Sequence, residues 1–230
     1  MGDTHGDVAQ AKVLSLAVHE LRTPMSVFNG YVRMILKDPA GTLDDKYRSW
    51  LQEAEKASVR LTALVAEMSD VSALEAGKAP FKRVRVDVHA MLADAVAAVP
   101  EVPERRVDVQ LMIGNGVAAL QGDVQRLKTA FTSIFFRQRR EIIDNGRVVI
   151  RERSGTFRKK PALWIAVAAS DQIDGVDGVQ EDAVEAYDEW QEGYGLSLTM
   201  ARRIFDRHGG GLWRPVQGPQ GSAVVALPLN

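Results

Sequence analysis

The 230-residue chain contains no cysteine, which removes disulfides and thiolate metal sites from consideration and fits a cytoplasmic setting. It has no excess of either charge: 29 Lys and Arg stand against 30 Asp and Glu, a formal net charge of −1. No field of one sign is present to draw in nucleic acid or an anionic membrane. No apolar run approaches the length of about 20 residues that spans a bilayer. The first seven residues, Met1-Gly2-Asp3-Thr4-His5-Gly6-Asp7, are polar and acidic, unlike a signal peptide. Internal repeats and low-complexity segments are also lacking. What remains is 46% hydrophobic and 26% charged, the balance of a soluble, globular chain with length for a sizeable core.

The pattern divides near residue 78. After a flexible start at 1–10, residues 11–77 read as a helical hairpin. Leu14, Val18, Leu21, Met25, Phe28, Val32 and Ile35 alternate spacings of four and three, a heptad seam. Proline and glycine at Pro39 and Gly41 break the helix. A second seam follows at Tyr47, Leu51, Ala54, Ser58, Leu61, Val65, Met68 and Ser72, widened by Trp50, Ala57, Leu64, Val71 and Leu74. Two helices cannot hide this much apolar surface from water by themselves. The expected solution is a homodimer closing a four-helix bundle. A monomeric hairpin packed on the rest of the chain is the alternative.

Residues 78–230 alternate short strand and helix patterns. The expected strands are 83–88, 107–113, 117–120, 147–152, 162–169 and 222–227, and the expected helices 88–98, 124–140 and 196–208. The fold class is therefore α+β, a hairpin followed by an α/β sandwich with helices on one face of a sheet.

His19 follows Val18. With Val18 at a heptad a position, His19 takes the solvent-facing b position. A neutral imidazole there has a lone pair available for nucleophilic attack. The Glu20 carboxylate can orient the ring or accept its proton. Thr23 puts a hydroxyl one turn further on, where it can hold a water. Pro24 has no N–H for the Glu20 carbonyl and is expected to bend the helix. Alone, an exposed histidine is usually just a surface residue.

The segment His19-Glu20-Leu21-Arg22-Thr23-Pro24 resembles the H-box of two-component sensor histidine kinases. It opens a hairpin whose second helix ends in Ala73-Leu74-Glu75-Ala76-Gly77-Lys78, as in that family, and the likeness extends over nearly the whole chain. The resemblance implies that His19 is phosphorylated, that Glu20 assists the transfer, and that Thr23 supports dephosphorylation of a response-regulator receiver domain. It also implies that 78–230 is built like the family's ATP-binding domain.

Within that domain the family's landmarks hold unevenly. Gly122-Asp123-Val124-Gln125-Arg126-Leu127 looks like the entry to the N-box helix, which places Ser133 and Arg137 where the family carries asparagines. Arginine has no lone pair to give Mg²⁺, which demands oxygen ligands. Either Arg137, Arg139 and Arg140 contact phosphates in place of the metal, or, as we expect, they form a solvated basic face. The strand ending at Ala169 leads into Ser170-Asp171-Gln172-Ile173-Asp174-Gly175, a poor match to the family's Asp-x-Gly-x-Gly box. By register Ala169 stands where the adenine-reading Asp belongs; Asp171 or Asp174 serves only after a shift, with Gly175 and Gly178 supplying flexibility. Gly193-Tyr194-Gly195-Leu196-Ser197-Leu198 resembles the G2 box, so Gly193 and Gly195 are candidate remnants of a nucleotide loop. The segment that corresponds to a lid carries Glu181, Asp182, Glu185, Asp188, Glu189 and Glu192, carboxylates that would repel a triphosphate.

The leading expectation is a dimeric histidine phosphotransferase or phosphatase of the histidine-kinase family, active in a phosphorelay. It exchanges phosphate between His19 and receiver aspartates without a cofactor, with no protein metal site and no nucleic-acid or membrane partner. The alternatives are an ATP- and Mg²⁺-dependent autokinase that works despite Arg137 and Ala169, and a non-catalytic receiver-binding module.

Overall fold

The computed structural model describes residues 4–37, 43–103, 105–113, 119–143, 145–189, 196–219 and 221–229, with the backbone alone for 4–16 and 119. The chain divides into two units, Met1–Ala79 and Pro80–Asn230.

The first unit is a hairpin of α1 (Thr4–Leu36) and α2 (Asp45–Glu75). Asp44 caps α2, its carboxylate accepting from the Lys46 N–H. Pro24 lies inside α1 and the helix continues beyond it, with the Ser26 hydroxyl donating to the Arg22 carbonyl at 2.9 Å. Two polar ties set the register of the helices: Asn29 Nδ2 donates to Thr62 Oγ1 at 3.1 Å, and Arg33 meets Glu55 at 3.1 Å. The seam is covered only in part. Val18, Val32 and Val65 are buried, whereas Leu21, Phe28, Tyr31, Met34, Ile35, Tyr47, Trp50 and Leu61 remain exposed. An apolar surface this extensive is unusual on a chain that stays single.

The second unit contains β1 (Val84–Asp87), α3 (Val88–Ala97), β2 (Asp108–Met112), β3 (Ala119–Gly122), α4 (Val124–Glu141), β4 (Arg147–Phe157) and β5 (Lys160–Ala169). After these come a short α5 (Ile173–Val176), a 3₁₀ turn (Glu181–Ala183), β6 (Val184–Ala186), α6 (Ser197–Arg207), β7 (Gly211–Pro215) and β8 (Ala223–Pro228). Six strands form one sheet in the order β2-β4-β5-β8-β7-β6, and β1 pairs separately with β3. Among the described strands, β2 and β4 alone run parallel.

β5 is buried continuously from Ala162 to Ala168, as expected of a central strand covered on both faces. Leu163, Ile165 and Val167 alternate toward the helices, where α4 and α6 meet through Phe131 and Phe205, rings 4.9 Å apart. On the opposite face Trp164, Ala166 and Ala168 join Phe157, Ile173, Val176 and the half-buried Trp213 in a second core. The expectation of helices on one face is thus incomplete: aromatic side chains and α5 close the other.

Several boundaries differ from expectation. β4 and β5 extend to Phe157 and back to Lys160, joined through Arg158 and Lys159 at φ 49° and 64°. Both central residues of the turn adopt positive φ without glycine or asparagine, so no turn signal marks it. β6 and β7 have no counterpart among the expected strands. Of the expected strand 117–120, residues 117 and 118 lie outside the described residues.

His208 ties the two main helices together. Its Nδ1–H donates to the Ile204 carbonyl at 2.7 Å, and its Nε2 accepts from the Asp123 backbone N–H at 2.9 Å. The Asp123 carboxylate in turn caps α4, accepting from the N–H groups of Arg126 and Lys82. Burial is the main cause that lowers the His208 pKa below its ordinary 6.5; Arg83 and Arg126 add to it, and the Ile204 bond and Asp123 oppose it. Burial acts to raise the Asp123 carboxyl, but the two N–H bonds and nearby charge outweigh it and hold it below 3.8. Below about pH 6.5 the unfolded chain takes up a proton on His208 that the folded chain refuses. Stability of this unit is therefore expected to fall as pH drops from about 6.5 through the lowered folded value, with a further loss from Asp123 in strong acid. Urea midpoints at pH 7.5 and 5.0 test this, and equal midpoints would defeat it.

Candidate functional site

Within the hairpin, His19 and Glu20 stand on the outer surface of α1, their side chains 78% and 73% exposed. The buried Val18 beside them anchors that turn of the helix. His19 Nδ1 lies 3.5 Å from Glu20 Oε1. This is longer than a hydrogen bond and between exposed groups, so it adds little to stability. It does place the carboxylate on the Nδ1 side of the ring and leaves Nε2 facing water. Thr23 is exposed one turn along the same face.

In the second unit, the positions singled out in α4 are not equivalent. Ser133 is half-buried and its hydroxyl donates back to the Thr129 carbonyl at 3.0 Å. Arg137 is only 4% exposed, so the expectation of a solvated basic face fails for this residue. Its Nη1 donates to the Gly221 carbonyl at 2.7 Å, and its guanidinium lies 5.2 Å from the Tyr187 ring centroid. Arg139 is also engaged, donating to the Val99 and Pro100 carbonyls, and Arg140 packs on Phe136. The reason is geometric: α4 lies between the 99–100 loop and the 221 turn, whose carbonyls take up the charge.

Ala169 ends β5 opposite Val148 and offers no polar side-chain atom. Asp174 bonds Arg151, and Asp177 lies 3.8 Å from both Arg151 and Arg153. A Cβ added at Gly175 would meet nothing within 4 Å, and Gly178 takes φ 95°, the left-handed conformation that favours glycine. Gly193 and Gly195 lie outside the described residues, as does Glu192.

The acidic segment is paired. Glu181 accepts from the Arg158 N–H, Glu185 meets Arg214 at 2.8 Å, and the buried Glu189 meets Arg202 at 3.3 Å. Residues 184–186 form an edge strand on β7. For Glu185 and Glu189 the expectation of repulsive carboxylates is therefore corrected, since arginines distant in sequence offset their charge; Glu181 is held by a backbone N–H. The nearest signal in the sequence is Arg202-Arg203 on the helix that follows. A cavity of about 290 Å³ lies between Arg137, Glu141, Tyr187, Asp188, Arg214, Gly221 and Ser222. Among the described residues no cluster of three or more His, Asp or Glu is placed to hold a metal, and no helix is long and apolar enough to cross a membrane.

Residues 9–77 match the His Kinase A (phospho-acceptor) domain. The chain is 24% identical over 212 residues to the cell-division control histidine kinase PdhS of Brucella ovis, covering 86% of this chain and 20% of that protein. Identity is 23% over 207 residues to the protein of the same name from Brucella suis biovar 1, covering 84% and 20%. The chain therefore spans about one fifth of the length of these curated relatives. Its fold is similar to that of full-length ShkA in complex with AMPPNP, with a TM-score of 0.68 at 20% identity, covering 94% of this chain and 45% of that one. It is also similar in fold to the Acinetobacter baumannii histidine kinase AdeS, with a TM-score of 0.56 at 18% identity, covering 92% and 98%.

Proposed function

Because this chain belongs to the two-component sensor histidine kinase family, we propose that it is a cytoplasmic, homodimeric phosphotransferase that exchanges phosphate between His19 and receiver-domain aspartates, without using ATP. Nε2 of His19 attacks the phosphorus of an aspartyl phosphate. A P–N bond forms as the acyl P–O bond breaks, and the aspartate leaves as a carboxylate. The ring becomes a phosphoimidazolium whose Nδ1–H faces Glu20, and that carboxylate stabilises the charge. The reverse sequence loads a second receiver. In the phosphatase direction Glu20 and Thr23 orient a water toward the aspartyl phosphate.

The observation that carries the ATP-free part is Arg137. At the family's metal-binding position stands a buried cation already bonded to Gly221 and stacked on Tyr187. A cation there opposes Mg²⁺ rather than holding it, and Ser133 alone supplies no octahedral oxygen set. The adjoining cavity of about 290 Å³ is at the lower end of the roughly 300–1,000 Å³ of ordinary ligand pockets. An autokinase is the second reading, favoured by the names of the curated relatives, which are histidine kinases. Incubation with labelled ATP and Mg²⁺ separates the two. The phosphotransferase stays unlabelled, and labelling that disappears in His19→Ala would establish the autokinase.

The exposed apolar stripe of the hairpin supports the dimer. Light scattering is expected to give about twice the 25.3 kDa chain mass. Phe28→Glu, at a side chain 48% exposed, is expected to weaken association by about a hundredfold, since it places a charge in a desolvated interface. A monomer mass for the unaltered chain would defeat the four-helix bundle.

A further inference from the structure

We propose that residues 184–189 act as an internal strap, with the Glu189 carboxylate occupying an anion site formed by Arg202 and Arg203 that a phosphate chain would otherwise enter. This rests on the ATP-free reading above and gives it a physical cause.

The strap is held at three places. At its start β6 pairs with β7 in the register Val184↔Pro215, Glu185↔Arg214 and Ala186↔Trp213, reinforced by the ion pair of Glu185 with Arg214 at 2.8 Å. In its middle Tyr187, 4% exposed, packs its ring on the Arg137 guanidinium of α4. At its end Glu189 lies on α6: one oxygen is 3.3 Å from Arg202 and 3.9 Å from Arg203, and the Thr199 hydroxyl donates to the Glu189 carbonyl at 3.5 Å. The strap thus links α4, which carries the position of the family's metal-binding asparagine, with α6, the helix that follows the glycine box in sequence.

The Glu189 side chain is 5% exposed, against 33% and 30% for Arg202 and Arg203. A carboxylate taken this far out of water is strongly destabilising unless it is paired. Two adjacent guanidinium groups facing one buried anion also form the arrangement that recognises phosphate oxygens. Glu189 therefore offsets the charge of these arginines, to which Asp206 on the same helix also contributes, and a phosphate chain has to displace the Glu189 carboxylate to reach them.

Two variants test this in the full chain, each read by amide exchange at 184–186 and by calorimetry with inorganic triphosphate. Glu189→Gln keeps the shape and removes the charge. It is expected to raise exchange about tenfold, the effect of one lost charge-assisted bond, and to create triphosphate binding that the unaltered chain lacks. Arg202→Gln with Arg203→Gln is expected to raise exchange equally and to bind no triphosphate. The double variant also reads the strap if Glu189→Gln does not fold. Unchanged exchange in both variants, or equal triphosphate binding with and without Glu189, would overturn the proposal. Mg·ATP binding to the unaltered chain that exposes the 184–186 amides would sink the ATP-free reading and support the strap as the displaced element. Mg·ATP binding with no change at those amides would defeat both.

Discussion

His19→Ala is expected to abolish exchange of phosphate with a receiver domain, a loss of at least about a thousandfold, because it removes the covalent carrier rather than weakening it. The measurement is the transfer of label from a phosphorylated receiver to this protein and on to a second receiver. Folding is expected to be untouched. The His19 side chain is 78% exposed and its one described contact is Glu20 at 3.5 Å, and substitutions of this kind usually stay within about 0.5 kcal/mol. A silent variant with an unchanged melting curve therefore reports chemistry. If instead the receiver loses its phosphate equally to both proteins, water is the acceptor, the imidazole is dispensable, and Glu20 with Thr23 carries a phosphatase. If neither protein draws phosphate from the receiver, the non-catalytic binding module is the better reading.

The hairpin is legible in the sequence because local rules decide it. Alternating spacings of four and three put Val18 and Val32 inside, and the residue after a buried a position has to face solvent. The start of α4 at Val124 also falls where the helix 124–140 is expected, and the structure adds Asp123 as its cap. What the sequence does not show is settled over long range. Arg137 is recognisable as an anomaly by register, but its burial depends on a carbonyl 84 residues away and on the ring of Tyr187. β6 has three residues within an acidic run, and what makes it a strand is backbone pairing with the distant β7, accompanied by the Glu185–Arg214 ion pair. The long β4–β5 hairpin is hidden because its turn uses Arg158 and Lys159 in conformations that glycine or asparagine normally marks.

Arg137→Ala is expected to destabilise the second unit by about 3 kcal/mol, the scale for removing one partner from a buried charged contact. Three losses combine. The Gly221 carbonyl loses its donor at 2.7 Å, and the turn before β8 loses the contact that holds it to α4. The Tyr187 ring loses the cation it packs on. The volume of the side chain is left as an enlargement of the neighbouring cavity. For a unit of about this size the change corresponds to a fall in melting temperature of roughly 6–12 °C. Arg137→Met separates the terms: it keeps most of the volume and takes out both the charge and its desolvation cost, so a smaller loss of about 1 kcal/mol is expected. Arg137→Asn restores the family's residue type at this one position. It is not expected to restore Mg·ATP binding, because Ala169 still offers adenine no acceptor and Glu189 still holds Arg202. Strong Mg·ATP binding by that single variant would show that Arg137 alone excludes the nucleotide and that the strap has no part in it.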